Sequence, residues 1–307
     1  SLRLVADAIS DEDADNVSRP ALGGRLVYHT YTSYDAMDSK MFVYDFAAGT
    51  ISEISSGWTV VKHPMNAHFS PDGKKITFMG IGNDTGSWDI FLHELGSSAQ
   101  PRNLTSGNGK RDEDPKFSHD GTRICFKRNG HLGEIDLTSG RTTIFDGNLE
   151  EEMGMPYYTV DDSAILFGGG AGQDSYIGLW NLGTGSWSKL YDEPQTVEYY
   201  PVTIDASSFY FTRHVSSTDV HDQVMKGYFD KSEPVYLPFN DSSWDYSDAC
   251  PAGSGWLFLV STRSGSSGGY DLYVANELSG AIYSLSQYNP GINTTGNELG
   301  PDYTEAR

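Results

Sequence analysis

Positive charge is scarce in this chain. Its 21 Lys and Arg face 42 Asp and Glu, a formal net charge of −21 over 307 residues. Such a field repels nucleic acid and anionic membrane surfaces, so neither is expected as a partner. Cysteine is nearly absent: only Cys125 and Cys250 occur. They fall in sequence repeats that a ring would place opposite each other, beyond the ~7 Å Cα reach of a disulfide. No apolar stretch approaches a membrane span, and no amphipathic helical run of useful length appears. Nucleophile-elbow, phosphate-loop, dinucleotide-fingerprint and cysteine–metal motifs are missing too. The run "GGGAG" (168–172) does not open a helix, so it is no phosphate loop.

Turn formers and aromatics are plentiful, with 34 Gly, 19 Tyr and 14 Phe. They are organised as a sixfold repeat, in which a short inner segment, a tight turn and an apolar strand centred on an aromatic residue follow one another. "NAHFSPDGKKITF" (66–78) and "DPKFSHDGTRICF" (114–126) are the clearest copies. "MPYYTVDDSAILF" (155–167), "YYPVTIDASSFYF" (199–211) and "DACPAGSGWLFL" (248–259) are weaker, and "LGGRLVY" (22–28) lacks the inner segment. The central aromatics Tyr28, Phe78, Phe126, Phe167, Phe211 and Phe258 lie 41 to 50 residues apart. That period suits one four-stranded propeller blade per repeat.

The expected fold is all-β: a six-bladed β-propeller, read as one domain over 1–307. Blades are expected at about 21–60, 61–106, 107–147, 148–193, 194–240 and 241–288. The orphan segment "NELGPDYT" near the C-terminus resembles an inner strand, so 296–304 is expected to complete the first blade and close the ring. Residues 1–20 read as an N-terminal extension or an extra outer strand. The chain starts at "SLRLVADAIS" without a visible signal peptide, which fits a mature or trimmed form. Five glycosylation sequons stand at Asn16, Asn83, Asn103, Asn240 and Asn293.

Strand direction alternates within a blade, so the connections divide between two faces. Strands one and two, and three and four, are joined by turns such as "SPDGK" and "TSGR". The other face carries the longer segments 31–40, 81–88, 168–176, 213–223 and 262–271, and long loops on a rigid scaffold are where binding resides. Polar residues just before the inner strands are expected to ring the channel mouth on that face: His63, Asn66, Asp112, Glu113, Glu151, Glu152, Glu198, Asp245, Asn297 and Glu298. They either hold a cation, a basic peptide or sugar hydroxyls, or accept backbone N–H bonds and fix blade spacing. Trp88, Tyr34, Tyr176 and Tyr270 border the long segments, as does Arg263, and aromatics among carboxylates suit sugar stacking.

Arg213 and His214 stand where a strand enters the segment 213–223. As charge stabiliser and general base, with Tyr34 or Tyr31 supplying a proton, they form a candidate catalytic set for carbohydrate elimination. Asp219, His221 and Asp222 form a local metal-like cluster without a zinc or EF-hand spacing.

"FSPDGKKITF" and "FSHDGTRICF", each followed by a strand such as "WDIFLHEL", resemble the propeller repeats of TolB-like proteins over roughly residues 20–304. The true TolB protein, a periplasmic partner in the Tol–Pal system, carries an additional N-terminal α/β domain; this chain has about twenty residues there. Relatives of the repeat class include oligogalacturonate and rhamnose–glucuronate lyases and the propeller of prolyl-oligopeptidase-like enzymes. Oligogalacturonate lyases use clustered His around a metal, and no such cluster matches here residue by residue. The resemblance and the loop asymmetry together imply a secreted or periplasmic monomer. It binds a carbohydrate or a protein partner on the long-loop face, with a calcium ion near the mouth as one option for a cofactor. A polysaccharide lyase or glycoside-cleaving enzyme on the same face is the alternative.

Overall fold

The computed structural model describes residues 17–145, 151–170, 174–215 and 219–306. They fold into six four-stranded antiparallel sheets arranged as blades of a ring. Blade 1 holds β1 (Arg25–Tyr31), β2 (Lys40–Asp45) and β3 (Thr50–Glu53). Blade 2 holds β4 (Val61–Phe69), β5 (Lys75–Gly82), β6 (Trp88–Glu94) and β7 (Arg102–Asn103). Blade 3 holds β8 (Asp112–Phe117), β9 (Arg123–Arg128), β10 (His131–Asp136) and β11 (Thr142–Ile144). Blade 4 holds β12 (Met153–Tyr158), β13 (Ala164–Gly169), β14 (Tyr176–Asn181) and β15 (Trp187–Tyr191). Blade 5 holds β16 (Thr196–Thr203), β17 (Ser208–Val215), β18 (Asp219–Tyr228) and β19 (Val235–Tyr236). Blade 6 holds β20 (Tyr246–Gly253), β21 (Trp256–Ser261), β22 (Asp271–Asn276) and β23 (Ile282–Ser284).

The ring closes as the orphan segment predicts. β24 (Asn297–Thr304) pairs antiparallel with β1, from Arg25 opposite Thr304 to Tyr31 opposite Asn297. It is the inner strand of blade 1, so the two ends of the chain share one sheet. Residues 17–20 lie against blade 6: Arg19 stacks on Tyr288 at 4.3 Å, and Tyr288 donates to the Pro20 carbonyl at 2.7 Å. No strand is formed by 17–20, and residues 1–16 lie outside the described part.

The six repeat aromatics sit on the second strand of each blade and are all essentially buried, from Tyr28 at 1 % to Phe258 at 0 % exposed. They pack between blades, as Phe78 of blade 2 shows in its cluster with Val27, Met41 and Val43 of blade 1. The "SPDG" turn works through its Ser and Asp. Ser70 Oγ donates to Asp72, which also accepts from the Lys74 amide, while Gly73 takes φ +67°. Outer strands are only two to five residues long, which blunts the sheet edges. Where they stop, amides continue the ladder. Asn240 bonds both the N–H and C=O of Val224, and Asn293 does the same for Leu272. Asn293, one of the sequons, is thereby buried.

Two expectations are corrected. Segment 213–223 is a strand hairpin, since β17 runs to Val215 and β18 starts at Asp219. Most of the polar residues expected ahead of the inner strands lie within them: His63 and Asn66 in β4, Asp112 and Glu113 in β8, Glu198 in β16, Glu298 in β24. Both cysteines are free and buried, in β9 and β20. Among the described residues no helix is long and apolar enough to cross a membrane.

Candidate functional site: the floor and mouth of the channel

Every inner strand carries a β-bulge at the same depth. The ladder register shifts between Met65 and His68, Glu113 and Lys116, Gly154 and Tyr157, Tyr199 and Val202, and Ser247 and Cys250. In blade 1 it shifts where β24 passes from Leu299 to Asp302. The first bulged residue is left-handed each time: Asn66 (φ 52°), Asp114 (53°), Met155 (50°), Tyr200 (52°), Asp248 (54°) and Gly300 (58°). In four blades Pro follows, at 115, 156, 201 and 301. Proline has no N–H for the ladder, so it fits the unpaired place that a bulge creates. Holding non-glycine residues in this region costs of order 1–3 kcal/mol each.

The bulges bring five side chains to the channel axis, Asn66, Asp114, Met155, Tyr200 and Asp248, and Gly300 leaves the sixth place without one. All six positions line a small inner cavity of about 40 Å³. All but Gly300 also line a mouth of about 400 Å³ above it, so the ring is the floor of the mouth. Tyr200 of blade 5 bonds Asn66 of blade 2 across the channel and bars it. Asn66 also donates to Asp114 at 3.0 Å, and the Gly300 amide donates to Asp248 at 3.0 Å. Asp114 and Asp248 stand three blades apart, on opposite sides of the bar. Burial drives both carboxyls up, with Glu113 adding to Asp114 and Asp222 to Asp248, which reaches about 6. Neither is in an ion pair within 4.0 Å among the described residues, and the channel's own cation, Lys116, lies in the cavity below.

The walls of the mouth come from the loop-rich face. Tyr34, on a short 3₁₀ turn between β1 and β2, stacks on Trp88 and accepts from Arg111 at 2.8 Å. Arg111 bonds Glu113 at 2.7 Å, Glu113 pairs with Lys127 at 3.1 Å, and Lys127 reaches Glu152 at 3.5 Å. Lys127 lies across Gly154, where a Cβ would stand 2.8 Å from its Cδ. It therefore forms the partition between the mouth and two side pockets, of about 660 and 360 Å³. Opposite, Asp222 accepts from Tyr199 and sits 2.8 Å from His214 Nδ1. Asp245 accepts from the Asp222 amide at 2.9 Å and from Tyr270 at 3.2 Å.

The expected catalytic set does not converge. Arg213 and His214 are consecutive in β17, and consecutive strand residues point to opposite faces. Arg213 is locked on the buried Glu198 at 2.5 to 2.7 Å. His214 lines the 360 Å³ pocket, and Tyr34 the far wall of the mouth. Of the metal-like cluster, His221 and Asp222 are consecutive in β18 and so point to opposite faces, while the side chain of Asp219 lies outside the described part. Among the described residues no three His, Cys, Asp or Glu side chains are grouped to hold a metal ion.

The expected binding residues divide. Asn66 and Glu113 line the mouth, and Glu152 the two side pockets. Asp112 is buried on Arg128 at 2.7 Å, Glu198 on Arg213, and Glu298 accepts from Thr294 at 2.6 Å. Asp112 and Glu198 are thus each paired with an arginine on the second strand of their own blade, and Glu298 with the segment leading into its own strand. His63 accepts from the Ser39 amide and is packed among Tyr31, Tyr34 and Trp88. Tyr176 is in the core against Trp187, and Arg263 lies over Tyr273. Asp114, Met155, Tyr200, Asp248, Gly300, Arg111 and Lys127 are absent from the sequence-based set. The proline that follows the left-handed residue in four of the six inner strands was the available signal.

No family model matches the chain, and no curated protein matches it. Solved structures do. TolB from Acinetobacter baumannii is 18 % identical over 92 % of this chain and 67 % of its own length, with a TM-score of 0.70. A putative TolB from Agrobacterium tumefaciens is 16 % identical over 86 % of this chain and 89 % of its own, at 0.62. An oligogalacturonate lyase in complex with manganese is 17 % identical over 87 % of this chain and 74 % of its own, at 0.54. At these identities the likeness is one of fold, and the chain is a TolB-like six-bladed β-propeller.

Proposed function

We propose that the chain is a secreted or periplasmic binding module that takes a carbohydrate or protein ligand in the mouth of its channel, on the loop-rich face. One observation carries this reading. Bulges at one depth in all six blades set the floor of a 400 Å³ cavity, and five of them line it with Asn66, Asp114, Met155, Tyr200 and Asp248. Strain repeated at a cavity floor belongs to sites more than to scaffolds. The mixture of Tyr, carboxylate, Arg and Lys around it suits a polar ligand with flat apolar faces. A glycan and peptide array probed with the whole chain tests the reading. Saturable binding that weakens in Tyr200→Ala supports it, and an array without hits counts against it.

The His214–Asp222 pair favours a second reading, an acid–base enzyme acting on a sugar chain. Asp222 orients the ring and leaves Nε2 toward the side pocket. Arg213 has no part in it. Product formation from an oligosaccharide, lost in His214→Ala, would support this reading; binding without turnover would exclude it.

A further inference from the structure

We infer that the floor of the mouth recognises a primary ammonium group on a sugar, so that the ligand is an amino sugar with its nitrogen free. The inference rests on the carbohydrate reading of the mouth. Asp114 and Asp248 face each other across the Tyr200 bar, three blades apart in the ring. Among the described residues each accepts one hydrogen bond, from the Asn66 side-chain amide and the Gly300 N–H, and neither has an ion-pair partner within 4.0 Å. The cations of the walls are committed elsewhere, Arg111 and Lys127 both to Glu113. Two opposed carboxylates beside tyrosine rings form a cation-binding arrangement, and flat rings favour an organic cation over a hydrated metal ion. Among the described residues no three His, Cys, Asp or Glu side chains gather at this floor.

A second observation points to the sugar hydroxyls. His29 lines the same mouth and is 2 % exposed. Its Nδ1 accepts from the Asn66 amide at 3.3 Å, which puts the ring proton on Nε2. Burial and the neighbouring His63 hold its pKa near 3, so the ring stays neutral. That Nε2 is buried without a hydrogen-bond partner. A buried donor left unpaired costs about 1–3 kcal/mol, and an oxygen acceptor on the ligand would recover it. An ammonium flanked by hydroxyls meets the acids and the histidine together.

The experiment is calorimetric titration of the whole chain with an oligomer of glucosamine and with its fully N-acetylated counterpart. The expected result is that acetylation weakens binding at least about tenfold. The double variant Asp114→Asn/Asp248→Asn should bind the two oligomers alike. Asn is compatible with both places, because Asn66 holds the same conformation in blade 2. The single variant Asp248→Asn, expected to lose part of the preference, serves if the double variant does not fold. Equal binding of both oligomers by the parent chain overturns the ammonium assignment and leaves sugar binding standing. Binding of neither overturns the carbohydrate reading on which it rests.

Discussion

The imidazole of His29 stands where a side chain at position 300 would lie: a Cβ on Gly300 would be 2.8 Å from its Cε1 and 2.9 Å from its Nδ1. Blade 1 thus fills its share of the channel floor with a residue from β1, the second strand. Gly300 is also left-handed, at φ 58°. Gly300→Ala is therefore expected to lose roughly 2 kcal/mol from backbone strain and the displaced ring. A urea titration followed by tryptophan fluorescence reads this. An unchanged midpoint would mean that His29 moves aside freely and does not brace the floor.

The features legible in the sequence are those set by local chemistry. Ser-Pro-Asp-Gly turns and the aromatic of each second strand located the blades, and "NELGPDYT" located the closing strand. The channel floor was hidden because a bulge breaks the two-residue period on which strand reading relies. Arg213 and His214 read in the sequence as the entry to a long loop, since a polar hairpin looks like a loop until its pairing is known. Once Arg213 is placed opposite Glu198 in the ladder, strand alternation separates it from His214. Asp112 and Glu198 could not be told from ligand-binding acids, because their partners Arg128 and Arg213 lie 15 or 16 residues away on the next strand.

Asp248 should make stability depend on pH. Its folded-state pKa is about 6 against an ordinary 3.8, chiefly through burial. Asp114 and Lys116 of β8, Asp222 of β18, Tyr199 and Tyr200 of β16, Tyr31 and Tyr270 all act on it or respond to it. Between these two values the folded chain binds more protons than the unfolded one, so this group's contribution falls as pH rises through the window. Asp248→Asn removes the ionised form and can still accept from Gly300. It is expected to stabilise the protein by about 1–3 kcal/mol above pH 7 and to change little near pH 4. Thermal melts at the two pH values check this, and a gain of equal size at both would assign it to something other than ionisation.

Ring closure rests on β24. Ending the chain at residue 296 removes the inner strand of blade 1, with its pairing to β1 from Arg25 to Tyr31. It also removes Asp302, which accepts from the Phe69 amide of blade 2 at 2.7 Å, and the Gly300 bond to Asp248 of blade 6. An open ring exposes the inner edge of β1. The truncated chain is expected to lose its cooperative melt and to associate. Circular dichroism and size-exclusion chromatography read both effects. A monomeric, cooperatively melting product would show that five complete blades suffice.

Neighbours in sequence, Arg213 and His214 should fail in opposite ways. Arg213 neutralises Glu198, a carboxylate without solvent exposure whose other oxygen is already unpartnered. Burial, with Asp192 and Glu193 adding to it, raises the Glu198 carboxyl, and Arg213 opposes that rise. Arg213→Met strands the acid, and breaking a buried pair from one side costs about 3–5 kcal/mol. Adding Glu198→Gln should recover much of the loss, since the charge goes with its partner. His214 is different, because it is partly exposed and its ring is bonded to Asp222. His214→Ala is expected to shift the melting midpoint little, within about 1 kcal/mol, while weakening whatever occupies the pocket beside the mouth. Melting curves for the four variants, with ligand titrations on those that fold, separate the two roles. A large loss of stability in His214→Ala, not recovered by Asp222→Asn, would make that residue a brace and remove it from the site.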